Sequence, residues 1–136
     1  MRKDIFDLAK EVFDLASINK EVIASAESCT GGMLSSAITE IPGSSTIFEC
    51  GFVTYSNISK VKLLSVNENT LHYHGAVSEE VAGEMAIGAL NNSQASLAIS
   101  ITGIAGPGGS IKKPEGMVCF SIAIKNEIKL TETKNW

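Results

Sequence analysis

The sequence predicts an α/β fold, a three-layer α/β/α sandwich around a mixed β-sheet. Three observations carry this reading. Apolar, β-prone runs at 21–26, 47–53, 96–102 and 116–124 are interspersed with segments of helical periodicity. The first two runs are each followed directly by a helical segment. The last run turns at Asn126 into a further strand over 127–133, which supplies an antiparallel edge.

Taken in order, residues 4–18 read as an amphipathic helix. Ile5, Ala9, Val12 and Ala16 recur at three- and four-residue steps, Phe6 and Phe13 lie alongside, and Asp4 suits its first turn. Residues 21–26 form a short run compatible with a strand, although periodicity alone leaves helix open. A polar loop, Glu27-Ser28-Cys29-Thr30-Gly31-Gly32, leads to a helix over 33–39, and Pro42-Gly43-Ser44-Ser45 is a turn. The next strand spans 46–54. Helical spacing follows at 59–65, then a short polar helix or turn at 67–73. Ser78 with Glu79 and Glu80 marks a capped helix start, whose apolar face (Val81, Ala82, Met85, Ala86, Ala89, Leu90) runs to Asn91-Asn92. The strand over 96–102 enters a glycine-rich loop that extends through 110–115.

At 136 residues the chain reads as one domain, 1–136, able to bury about two thirds of its unfolded surface. A net charge of −4 and scattered basic residues argue against a nucleic-acid partner. Cys29, Cys50 and Cys119 are odd in number and widely spaced, as expected of reduced thiols. The charged N-terminus has no apolar signal core, and no run approaches the ~20 residues of a membrane span. The chain reads as cytoplasmic, without a membrane partner.

Two stretches concentrate chemistry. The loop 27–32 lies between a strand and a helix, where free N–H groups favour anions. The plainer alternative is that Ser28 or Thr30 caps the helix and the glycines turn the chain. The second stretch runs from Gly43 to Lys60 and carries Ser45, Tyr55, Asn57 and Lys60. Its plainer reading is a turn serine and a solvated helical lysine. A strand over 46–54 would hold Ser45 and Lys60 roughly 25–30 Å apart at ~3.3 Å per residue. A pairing of the two requires a shorter strand, a bulge at Gly51 or a neighbouring chain. Gly103 to Gly109 is neither a Walker A loop nor a dinucleotide fingerprint. His72 and His74 have no acidic or cysteine ligand near them in sequence, so no metal site is assigned.

Four segments occur in order: Ala26-Glu-Ser-Cys-Thr-Gly-Gly32, Gly51-Phe-Val-Thr-Tyr-Ser-Asn57 with Lys60, His74-Gly-Ala-Val-Ser78, and Thr102-Gly-Ile-Ala-Gly-Pro-Gly-Gly109. Together they resemble the CinA C-terminal domain family, over residues 8–124. The resemblance implies a nicotinamide-nucleotide amidase of pyridine-nucleotide salvage. Such an enzyme converts nicotinamide mononucleotide, its small-molecule partner, to nicotinic acid mononucleotide and ammonia. It implies a serine–lysine dyad with no metal or cofactor, and a homodimer. On matching positions Ser45 would be the nucleophile, Lys60 the base and Tyr55 an assisting group. Ser28 and Thr102 would line the site, with Thr30, Gly31 and Gly32 beside them, and N–H groups at Gly31-Gly32 or Gly103 would meet the oxyanion. The chemistry is coherent: a serine needs a base to take its proton, and a lysine serves only when neutral, which burial favours.

The resemblance also implies a departure. Family members continue into a Gly-Asp-Arg-like segment and a final helix, whereas this sequence stops at Trp136 with Arg2 its only arginine. The expectation is weak phosphate binding and impaired activity, with Lys112 and Lys113 as poorer substitutes for an arginine. Two other classes compete: a non-catalytic nucleotide-binding or regulatory module, and a cysteine hydrolase using Cys29 at a helix N-terminus. For the metal-free reading, ammonia release from nicotinamide mononucleotide should survive EDTA. Loss of release on chelation, restored by zinc, is the contrary result.

Overall fold

The computed structural model describes residues 3–104, 109 and 113–135. Its elements are α1 (Lys3–Asn19), β1 (Ile23–Glu27), α2 (Met33–Thr39), a 3₁₀ turn (Ser44–Thr46), β2 (Phe48–Val53), α3 (Asn57–Leu64), α4 (Glu68–His74), α5 (Glu79–Asn91), β3 (Leu97–Gly103), β4 (Met117–Ile124) and β5 (Glu127–Asn135). The strands form one sheet in the order β2-β1-β3-β4-β5. β1 pairs in parallel with β2 and β3, while β3–β4 and β4–β5 are antiparallel. The mixed α/β sheet is therefore as the sequence predicts. Lys125 and Asn126, both at positive φ, close the β4–β5 hairpin.

β1 is buried along its whole length because it lies between two parallel neighbours and under two layers of helix. Its alternation sorts the layers. Ala24 and Ala26, with Ala98 of β3 and Ala123 of β4, face a core built from Leu64, Val66 and the α5 residues Val81, Met85, Ala86 and Ala89. Ile23 faces the opposite way, into a second core with Ala16, Ile38 and Ile47. Ser25 and Glu27 share its face and meet α2.

The helices begin where local chemistry allows. Ser78 Oγ accepts the Val81 N–H at 3.2 Å and Ser56 Oγ accepts the Ser59 N–H at 3.1 Å. α3 thus starts at Asn57, two residues ahead of its predicted start, because Ser56 caps it. α4 is a true helix capped by Asn67, and His72 and His74 fall in its last turn.

α5 sits close to the sheet because its inner face is small. At Gly88 an added Cβ would lie 2.0 Å from the Leu64 carbonyl oxygen at the end of α3, so this helix crossing admits only glycine. Gly88→Ala should cost about 1–3 kcal/mol through forced separation of α3 and α5, read as a lower urea midpoint with an unchanged slope.

Candidate active site

The site is built at the carboxyl ends of β1 and β2, the position where open α/β sheets accept ligands. Lys60 is the fourth residue of α3, yet it is only 1% exposed. Its Nζ donates to the Thr54 carbonyl (2.8 Å) and the Tyr55 carbonyl (3.1 Å), and lies 3.0 Å from Ser28 Oγ. Both carbonyls belong to the two residues directly after β2, so the strand's end forms the seat of the amine. Burial pushes the Lys60 pKa below its ordinary 10.5.

Ser28 directly follows β1. Its N–H continues the parallel ladder to the Ile101 carbonyl (2.9 Å), and its own carbonyl accepts the Gly31 N–H (3.1 Å). The side chain is thereby fixed between β3 and the turn, 32 residues before Lys60 in the chain.

The structure corrects the expected pairing. Ser45 lies exposed in the 3₁₀ turn at the opposite end of β2 from Lys60. Six strand residues separate them, roughly 20 Å at ~3.3 Å per residue. The irregularity in the β1–β2 register falls at Glu49, not Gly51, and does not fold the strand back. The serine that meets Lys60 is Ser28.

Other expected residues take different parts. Tyr55 contributes its carbonyl, while the residue as a whole is 74% exposed. Thr102 is buried, but its hydroxyl donates to the Ala76 carbonyl and ties β3 to the segment before α5. The Gly31 N–H is committed to Ser28 and the Gly32 N–H to Glu27, so neither is poised for an oxyanion. Thr30 donates its hydroxyl to Glu27 at 2.7 Å. Gly103 closes against Cys29: an added Cβ would sit 3.0 Å from the Cys29 sulfur and 2.8 Å from the Met117 carbonyl. Cys29 itself has a raised pKa, chiefly through burial and also through the Glu27 charge, opposite to the lowering expected at a helix N-terminus. Lys113 Nζ donates to the His74 carbonyl. Lys112 and the loop glycines at 106 and 108 lie outside the described residues.

Two groups escaped the sequence reading. Glu27 is fully buried and accepts five hydrogen bonds from the loop and from α2. The sequence placed it in the polar loop 27–32 and in period two with Ile23 and Ser25, but gave it no role. Thr54 Oγ1 is buried without a hydrogen-bond partner among the described residues, one residue before the Tyr55 carbonyl. Among the described residues no group of three or more His, Cys, Asp or Glu side chains gathers to hold a metal, and no helix is long and apolar enough to cross a membrane.

Fold and site together define an α/β domain with a buried lysine set against a loop serine at the strand ends. The chain belongs to the CinA C-terminal domain family, whose pattern it matches over residues 5–135. It is 60% identical over 102 residues to a CinA-like protein of Chloroherpeton thalassium, covering 74% of this chain and 24% of that protein. The chain therefore spans about a quarter of the length of that relative. It is 50% identical over 121 residues to the nicotinamide-nucleotide amidohydrolase PncC of Escherichia coli K12, covering 88% of this chain and 73% of that protein. The crystal structure of the competence/damage inducible protein CihA from Agrobacterium tumefaciens superposes with a TM-score of 0.95 at 41% identity, covering all of this chain and 83% of that one.

The buried amine has a measurable signature. Between its depressed native pKa and 10.5 the unfolded chain holds a proton on Lys60 that the native chain does not. This group therefore makes stability rise with pH across that interval. Lys60→Met should remove that rise, seen as the difference between wild-type and variant urea stabilities from neutral pH to pH 10.5. Parallel curves would mean that the native amine titrates normally.

Proposed function

We propose that this domain hydrolyses the carboxamide of nicotinamide mononucleotide to nicotinic acid mononucleotide and ammonia, with Ser28 as nucleophile and Lys60 as its base. The observation that carries the reading is the coordination of Lys60 Nζ by two carbonyls and one hydroxyl. A neutral amine has two N–H groups and one lone pair. The Thr54 and Tyr55 carbonyls accept the two N–H groups, leaving the lone pair to receive the Ser28 proton. The name of the PncC relatives supports the substrate.

In the proposed reaction Ser28 Oγ attacks the carboxamide carbon as its proton passes to Nζ. The tetrahedral intermediate collapses when the ammonium returns that proton to the departing nitrogen, releasing ammonia and leaving an acyl-serine. Water then attacks the ester, with Lys60 taking its proton and delivering it to Ser28 Oγ as the acid leaves. Cys29 plays no nucleophilic part, because burial keeps it a thiol. Only neutral Lys60 starts the cycle, so kcat/KM should rise with pH through a pKa below 10.5.

Ammonia release from nicotinamide mononucleotide tests the assignment. Ser28→Ala, Lys60→Ala and the double variant should each lose about 10⁴-fold or more, with the double no worse than the singles, since the pair acts as a unit. Ser45→Ala should stay within a few-fold of wild type. If Ser45→Ala is inactive and Ser28→Ala is not, the nucleophile is misassigned. If wild type binds the nucleotide without turnover, the domain is a binding module.

A further inference from the structure

We infer that Glu27 is the positioning residue of this site, holding the Ser28 loop in register with Lys60 without touching the substrate. The inference rests on the proposed amidase reading, but its basis is a separate set of contacts. Oε1 accepts the Thr30 hydroxyl (2.7 Å) and the N–H groups of Leu34 (2.9 Å) and Gly32 (3.2 Å). Oε2 accepts the Ser35 hydroxyl (2.8 Å) and the Ser35 N–H (3.0 Å). A carboxylate offers about four lone-pair sites, so five donors leave no capacity for a ligand. The same contacts occupy the start of α2, whose cap residue Gly32 supplies no side chain. Ser35 is further braced by Ser25, at 2.6 Å between hydroxyls, in a space kept open by Gly51, where an added Cβ would lie 2.4 Å from Ser35 Oγ.

The main chain of Glu27 completes the link. Its carbonyl accepts the Thr54 N–H at 2.8 Å, and the Thr54 carbonyl holds Lys60. One residue thus ties the serine loop through its side chain and the seat of the lysine through its backbone. Hydrogen bonds to the carboxylate outweigh the effect of burial and keep it ionised, as an acceptor-only role requires.

Glu27→Gln is the sharpest test, because either amide orientation turns an NH₂ against backbone N–H donors. The expected result is a kcat about 100-fold lower on nicotinamide mononucleotide, the scale of an ångström of misplacement, with KM nearly unchanged. Glu27→Asp should recover part of that loss. Amide hydrogen exchange at Ser28 and Gly31, whose own acceptors are untouched by the substitution, should quicken about tenfold while α5 exchanges as in wild type. Should Glu27→Gln fail to fold, Thr30→Val and Ser35→Ala each remove one strap and should each lower kcat several-fold at constant KM. A normal kcat in the Glu27 variant or in both strap variants overturns the inference, as does a loss confined to KM. Unchanged exchange at Ser28 and Gly31 also overturns it. If wild type releases no ammonia, the amidase reading fails, and the exchange data still decide whether Glu27 holds the loop.

Discussion

A lysine amine withdrawn from water is costly unless its N–H groups find acceptors, and Lys60 finds them in two adjacent carbonyls at the end of a strand. Much of the surrounding architecture serves that arrangement. β2 ends at Val53, so the carbonyls of Thr54 and Tyr55 are free to turn toward the helix that follows. The cap at Ser56 sets the phase of α3, which points its fourth residue inward. Leu64, at the far end of the same helix, packs so closely on Gly88 that no Cβ fits between them, which sets α3 tight against α5. Ser28 approaches from the neighbouring strand, and the parallel register of β1 with β2 brings both strand ends to the same edge.

The elements were legible because their signals are local. Small and polar caps, period-two alternation and helical spacing act over a few residues, and they located every strand of the sheet to within a residue or two. The loop 27–32 and the segment 51–60 also stood out in the sequence as polar stretches at strand ends, and a serine–lysine pairing was implied there by the family resemblance alone. What sequence could not supply was which serine the lysine meets. Ser45 and Lys60 are close in the chain but are held at opposite ends of β2. Ser28 is twice as far away in sequence and is brought alongside by strand pairing. Proximity in a parallel sheet is decided by register, a property of two strands together.

Glu27 was hidden for a related reason. A carboxylate at the end of an apolar strand looks like the first exposed residue of a loop. It is buried because the following chain curls over it and turns three N–H groups and two hydroxyls inward. The glycines at 31 and 32, both at positive φ, permit that curl. The N-terminal charge of the α2 dipole is consequently neutralised from within the protein, and a ligand anion must find its donors elsewhere.

The bond from the Ser28 N–H to Ile101 has a temporal consequence. The residues of the serine–lysine pair are all present by position 60, but the backbone that fixes the serine is completed only when a strand from beyond residue 96 docks against β1. That docking closes a loop of about seventy residues, an entropically demanding step that non-local parallel pairing makes slow. A nascent chain would carry both groups well before it could hold them in position. The site should therefore mature with the last parallel strand, late in the folding of the domain.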